Sequence, residues 1–232
     1  MSATAQAQRY KAIILDLDGT MVDTIGDFVA ALNAALQSCG LSPAQPEQVR
    51  KWIGRGGEHL LRQAIANAGL DANSDDLFVR LREGFYTHYG RINGQHAQVF
   101  AGMVQALTHW RGAGVQLACV TNKPEGHARE LLALKQLAPF FGERVWGGDS
   151  LPHKKPHALP LLTACQHMGV APTQTLMVGD SQTDHGAAGA AGMDVALLSW
   201  GYNHDENVRE LSAAFHGDDV ESLVAYTQAG AQ

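Results

Sequence analysis

The sequence predicts an α/β fold, a doubly wound, Rossmann-like parallel sheet with an all-helical block inserted after its first strand. Three observations carry that expectation. Short apolar runs that stop at polar or glycine-rich corners recur at 12–15, 115–120, 144–146, 175–178 and 195–198. Helix-length stretches at 102–111, 124–137, 156–168 and 183–191 precede or separate the later runs, and each is long enough to cross between parallel strands. The interval 23–95 breaks this rhythm and shows helical patterns alone.

The first run, Ala12-Ile13-Ile14-Leu15, ends abruptly in Asp16-Leu17-Asp18-Gly19-Thr20. In an extended strand residues i and i+2 point to the same side, so Asp16 and Asp18 share one spot at the strand's exit. Two like charges that close resist joint ionisation unless a cation or a shared proton lies between them. An Asx-turn closing the strand is the plain alternative for Asp-Gly. The pair makes chemical sense as a nucleophile and an acid/base beside a hard divalent metal, the requirement of phosphoryl transfer through an aspartyl-phosphate.

The inserted block reads as helices at 25–39, 45–53, 58–68 and 75–89, with turns at Leu41-Ser42-Pro43 and Gly69-Leu70-Asp71. This divides the chain into a core of 1–22 and 96–232 and a helical domain of 23–95. Later strands carry near-continuous apolar residues, Leu176-Met177-Val178 among them, as burial on both faces demands. Cys119 falls inside such a strand and reads as core. The stretch from Gly186 to Gly192 reads as a small-residue helix packed tightly on the sheet. His153 and His157 have the spacing of a metal pair, but Pro156 interrupts the helix that spacing needs.

The bulk numbers exclude several classes. With 232 residues, 45% hydrophobic and 17% charged, the chain is long enough for one buried core and a smaller lobe. A net charge of −6 and a pI near 6.0 supply no basic stripe for nucleic acid or an anionic membrane. No run approaches the roughly 18 apolar residues of a membrane span. Cys39, Cys119 and Cys165 are odd in number and widely spaced, which fits a reducing cytoplasm better than a disulfide or zinc framework. The first nine residues, Met1 to Arg9, read as a frayed tail.

Ligands of an open parallel sheet bind at the carboxyl ends of its strands, near the point where strand order reverses. Asp16 and Asp18, Thr121-Asn122-Lys123, and Gly179-Asp180-Ser181 with Asp184 all leave the sheet on that edge, and Lys154-Lys155-Pro156 opens a neighbouring helix. Alone, Thr121 reads as a strand end, Lys155 as a loop lysine and Asp180 as a helix N-cap. Together they resemble the four ordered motifs of the haloacid dehalogenase superfamily, phosphatase branch: Asp16-Leu17-Asp18-Gly19-Thr20, Thr121-Asn122-Lys123-Pro124, Lys155-Pro156, and Gly179-Asp180-Ser181-Gln182-Thr183-Asp184.

The resemblance covers nearly the whole chain and implies a helical cap domain over the active site. It assigns nucleophilic attack to Asp16 and proton transfer to Asp18, and it gives phosphate and charge neutralisation to Thr121 and Lys155. A Mg²⁺ ion would be held by Asp16, the backbone carbonyl of Asp18 and Asp180, with Asp184 behind them or acting through water. Gly19, Thr20, Thr121, Asn122 and Lys155 would then face the phosphate. An Asp at position 18 favours transfer of phosphate to water over dehalogenation.

For the substrate, a small anionic phosphoester, the sequence is less decisive. Thr121 to Glu125, the segment from Gly147 through His157, Gly201-Tyr202-Asn203-His204, and Trp52-Ile53-Gly54-Arg55-Gly56-Gly57 are similar to bacterial phosphoglycolate phosphatases. Met21, Arg55, Gln182-Thr183 and His185 depart from that pattern without removing a catalytic group, and Arg55 either grips a carboxylate of the ester or faces solvent. Other readings stay open: a phosphatase for a sugar phosphate such as N-acetylmuramate 6-phosphate, a phosphosugar mutase, or a catalytically idle binding module.

Overall fold

A computed structural model describes residues 9–73, 75–203 and 206–228. Residues 1–8 of the expected tail and His204 lie outside it. Strand β1 (Ala12–Leu15) is buried at every position, and β2 (Val22–Asp23) follows directly after the Asp16 to Thr20 corner. Four helices come next: α1 (Ile25–Ser38), α2 (Pro46–Trp52), α3 (Gly57–Asn67) and α4 (Asp75–Ile92). The chain returns through β3 (Gln98–Val99), which pairs antiparallel with β2 so that Val22 faces Val99 and Asp23 faces Gln98.

The alternating part then runs α5 (Met103–Gly112), β4 (Gln116–Val120), α6 (Glu125–Leu134), α7 (Ala138–Phe141), β5 (Val145–Trp146), α8 (Leu159–Met168), β6 (Thr175–Gly179), α9 (Gln182–Ala191), β7 (Asp194–Leu198), β8 (Phe215–Gly217) and α10 (Val220–Gln228). Six strands form one parallel sheet in the order β5-β4-β1-β6-β7-β8. The winding leaves β1 toward β4 and β5, then restarts on the other side at β6, so strand order reverses beside β1.

Alternation along the strands sorts the core into two layers. Ile13, Leu15, Leu117, Cys119 and Val178 face α5, α6, α7 and α10. Ile14, Ala118, Val120, Met177 and Leu197 face α8 and α9. Helices therefore cover both faces, which is why these strands are apolar throughout. As expected, Cys119 is core and α9 brings Ala187, Ala188 and Ala191 against the sheet. The three cysteines are free.

The helical unit has an apolar cluster of its own, with Phe28 and Leu32 of α1, Trp52 of α2, Leu61 of α3, and Leu81, Phe85 and Tyr89 of α4. The last three recur every four residues and so share one helix face. Phe28 stacks on Phe85 at 6.3 Å between centroids and tilts against Tyr89 at 5.2 Å. Asp27, fully buried, accepts the backbone N–H of Gly94 at 2.6 Å and of His96 at 2.7 Å, which fastens the returning chain to the start of α1.

Several elements differ from expectation. Strand β8 and the β2–β3 ribbon are too short to show an apolar run. Helix α8 starts at Leu159 instead of 156, because Pro160 is tolerated only within a helix's first turn. Helix α6 stops at Leu134 before Gln136 turns to a φ of +59°. Among the described residues no helix is long and apolar enough to cross a membrane.

Candidate active site

The carboxyl ends of β1, β4 and β6 meet where strand order reverses, and each delivers a polar side chain to the same rim. Asp16 directly follows β1; its backbone N–H donates to the Val178 carbonyl at 3.0 Å, holding the corner to the sheet. Its Oδ1 accepts the Leu17 N–H at 2.7 Å and pairs with Lys155 Nζ at 3.0 Å. Burial pushes the Asp16 carboxyl up to about 6, against the pull of the Lys155 ammonium.

Lys155 is 2% exposed and sits between two carboxylates, with Asp184 Oδ1 at 2.7 Å on its other side. Those anions hold it above the ordinary lysine range although burial alone would lower it. It is therefore no solvated loop lysine; Lys154, which is exposed, is the one that turns outward and donates to the Arg55 carbonyl at 3.1 Å.

Asp180 is fixed from two sides. Thr20 Oγ1 donates to its Oδ1 at 2.6 Å and the Tyr202 N–H to its Oδ2 at 2.6 Å. Burial and the neighbouring charges of Asp184 and Asp16 hold its carboxyl well above the usual range. Two glycines make room for it: a Cβ on Gly19, whose φ is +81°, would stand 2.5 Å from Asp180 Oδ2, and one on Gly201 would stand 2.2 Å from it. The N-cap of α9 is Ser181, not Asp180. Asp184 Oδ2 accepts three donors, the Ser181 hydroxyl at 2.8 Å and the N–H groups of Asp180 and Ser181 at 3.1 and 3.2 Å.

Carboxylate oxygens of Asp16, Asp180 and Asp184 lie within 4.8 Å of one another. Facing the single ammonium of Lys155, these three groups when ionised leave two negative charges in a buried place. An all-oxygen donor set with that charge suits a hard divalent cation. Since Lys155 and the start of α9 already occupy both Asp184 oxygens, its part is to anchor the lysine and the Asp180 loop.

Three residues expected at the substrate are engaged elsewhere in the structure. The Gly19 N–H donates to the Val22 carbonyl at 2.9 Å and the Thr20 hydroxyl to Asp180, so both support the aspartate. Arg55 is not brought to the rim. Its guanidinium lies toward Glu206, 4.0 Å away, with 43% of the side chain exposed, and it does not line the cavity. His153 and His157 stack on each other at 4.4 Å, apart from the acidic cluster.

The cavity itself lies between the sheet edge and the helical unit. Its core wall holds Asp16, Asp18, Thr121, Asn122 and Lys123. Thr121 Oγ1 accepts the Lys123 N–H at 3.3 Å. Asn122 Nδ2 donates to the Lys155 carbonyl at 3.0 Å and across the cleft to the Gly54 carbonyl at 3.2 Å, while its buried Oδ1 accepts nothing from the described residues. The opposite wall is mostly apolar, with Phe28, Ile53, Leu60, Phe85 and Tyr89. His127 lies beside it, parallel to the Tyr86 ring at 6.1 Å, its imidazole pushed toward the neutral form by burial and by Lys123.

Lys123, inside the Thr121 to Pro124 motif, has a place in the site that the motif alone does not assign. Its Nζ contacts Asp18 at 2.9 Å and its surroundings include Tyr89, partners 105 and 34 residues away. The available signal was a lysine in a strand-end corner beside paired aspartates. Tyr202 was missed likewise; its hydroxyl accepts the N–H of Thr24 at 2.7 Å and donates to Asp23, joining the Asp180 loop to the start of α1.

A rim of buried carboxylates and a lysine at the reversal point of a doubly wound sheet defines an α/β enzyme acting on an anionic group. The family of haloacid dehalogenase-like hydrolases matches residues 13–198. A phosphoglycolate phosphatase of Nitrosospira multiformis is 38% identical over 202 residues, 87% of this chain and 88% of that one. One of Nitrosococcus oceani is 34% identical over 198 residues, 85% and 88% of the two chains. The crystal structure of a predicted phosphoglycolate phosphatase from Haemophilus somnus superposes with a TM-score of 0.89 at 32% identity, covering 94% of this chain and 98% of that one. The chain belongs to the haloacid dehalogenase-like hydrolases, and it is an enzyme of the phosphatase class.

Proposed function

We propose that the protein hydrolyses small phosphomonoesters through a phosphorylated Asp16, with 2-phosphoglycolate, giving glycolate and phosphate, as the foremost substrate. The observation that carries the reading is the buried Asp16–Lys155–Asp184 chain beside Asp180, in a sequence 34–38% identical to phosphoglycolate phosphatases over most of its length.

Both contacts of Asp16 use Oδ1, so attack is assigned to Oδ2. As that oxygen bonds to phosphorus, the ester P–O bond breaks and Asp18 gives its proton to the leaving oxygen. Water then attacks the phosphorus, Asp18 takes its proton, and the Asp16 P–O bond breaks to release phosphate. Lys155 and the Thr121 hydroxyl offset charge on the transferring group, where most of the catalysis in such a loose transition state lies. Asp16, Asp180 and the Asp18 carbonyl would hold Mg²⁺, which when bound neutralises phosphoryl oxygens. Residues 23–95 act as a cap that excludes water and strengthens these charge interactions. Three free cysteines and the absence of a basic stripe fit a cytoplasmic enzyme of metabolites.

The apolar wall of Phe28, Ile53, Leu60 and Phe85, with Arg55 turned aside, favours a second reading in which a bulkier alcohol is accepted. A phosphate-release panel with Mg²⁺ separates them: 2-phosphoglycolate should give the highest kcat/KM. Faster turnover of N-acetylmuramate 6-phosphate or another sugar phosphate overturns that choice, and isomer formation without phosphate release indicates a mutase.

A further inference from the structure

Lys123 is held by both units of the molecule at once. It is 5% exposed, and its Nζ lies 2.9 Å from Asp18 Oδ1 and 3.2 Å from Oδ2 on the core side. On the helical side it donates to the Tyr89 hydroxyl of α4 and stands 4.7 Å from the centres of the Phe28 and Tyr89 rings. A lysine ammonium is a compact charge on a flexible stem, and nothing in its own geometry fixes where it points. Here the direction is set from outside. Tyr89 is locked in the ring cluster, 5.2 Å from Phe28 and 5.5 Å from Phe85, so its hydroxyl is a rigid mark against which the ammonium aligns.

We propose that Lys123 and Tyr89 are positioning residues for Asp18, aiming its carboxyl at the leaving oxygen only while α4 is seated on the core. The two unequal contacts divide the carboxyl's tasks. Oδ1, the nearer oxygen, is the tether. Oδ2, held by the longer contact, is the oxygen presented to the ester. The proton passes to the ester oxygen as the P–O bond breaks, and none is consumed elsewhere. In this way the helical unit, which supplies no acid of its own to the step, governs when the acid is aligned. The proposal rests on the reading of Asp18 as proton donor.

The test is leaving-group dependence. Tyr89→Phe removes one hydroxyl and keeps the ring packing, and kcat/KM is measured for 2-phosphoglycolate, phenyl phosphate and p-nitrophenyl phosphate with Mg²⁺. A misaligned acid penalises leaving groups that need a proton, and general acid catalysis is worth about 10²–10⁴-fold. Tyr89→Phe should lower kcat/KM for 2-phosphoglycolate about tenfold, and the ratio of p-nitrophenyl to phenyl phosphate, two esters of similar shape, should rise at least about fivefold. Lys123→Gln should shift the ratio the same way, and the double variant should add little, as expected for one network. An equal fall on all three esters, or a rise in KM alone, overturns the proposal by making Tyr89 a plain substrate or packing contact. Asp18→Asn separates the two readings: a steep response there with none in Tyr89→Phe removes the positioning role alone, and a flat response in both removes the acid as well.

Discussion

The two walls of the cavity are built by opposite means. On the core side nearly every polar atom is pinned by another: Asp16 by Lys155, Lys155 by Asp184, Asp180 by Thr20 and Tyr202, Asp184 by the start of α9. On the helical side Phe28, Ile53, Leu60 and Phe85 offer shape and dryness with few directed bonds, and contact with the core runs through single donors such as Asn122 to Gly54. A saturated polar network fixes atoms to fractions of an ångström, as bond making requires. An apolar wall tolerates change, as choice of substrate requires. Directed polar bonds dominate one side of the cleft and apolar contact the other, and the Tyr89 hydroxyl is a point where the two meet.

That contrast breaks if substitutions on the two walls cost alike. The largest effect expected is from Asp16→Asn, which removes the proposed nucleophile and should reduce phosphate release by about three orders of magnitude or more; residual activity near wild type would remove Asp16 from the chemistry. Asp184→Ala comes next. It strips Lys155 of one carboxylate and orphans the donors at the start of α9, and should cost about 3–5 kcal/mol in urea unfolding, the range for breaking a buried pair.

A smaller effect concerns pH. The folded-state pKa of Asp16 is raised, to about 6, so the folded protein binds its proton more tightly than the unfolded chain does. The contribution is therefore favourable below the unfolded value and is lost as pH rises through about 6. Without metal, the Tm of Asp16→Asn should gain on that of wild type between pH 4 and 7, and Mg²⁺ should raise the wild-type Tm more at pH 7.5 than at pH 5. A parallel pair of melting curves contradicts this. Least of all should matter Arg55→Ala, on the helical side and partly exposed, with less than about a twofold change in kcat/KM and under about 0.5 kcal/mol in stability. A tenfold loss on 2-phosphoglycolate would show that Arg55 swings in to hold the ester.

How much was legible follows the same division. Paired aspartates after an apolar strand, a lysine before Pro156 and a Gly-Asp corner are local signals, and parallel-sheet topology alone brings them to one edge. The doubly wound fold class was legible from alternation; β8 was not, since Phe215-His216-Gly217 is three residues without an apolar run. Position within the rim was harder. Gly19 and Thr20 sit inside a motif, yet whether they face substrate or back an aspartate depends on the loop around Tyr202, which no periodicity reveals. Lys123 escaped for a related reason. Its aromatic partner ends the Leu81-Phe85-Tyr89 stripe, and such a stripe marks a buried face without naming what the terminal hydroxyl reaches.

The β2–β3 ribbon has a practical consequence. Because Val22 pairs with Val99 and Asp23 with Gln98, the segment between them leaves and rejoins the sheet domain at neighbouring points, as an insertion closed at its own neck. Exchange of everything between the two short strands for a lobe of other size would leave the parallel ladder uncut and the buried carboxylates of the sheet edge in place. Variation in what the scaffold accepts is open to cassette replacement at that neck, by recombination in nature or by grafting at the bench.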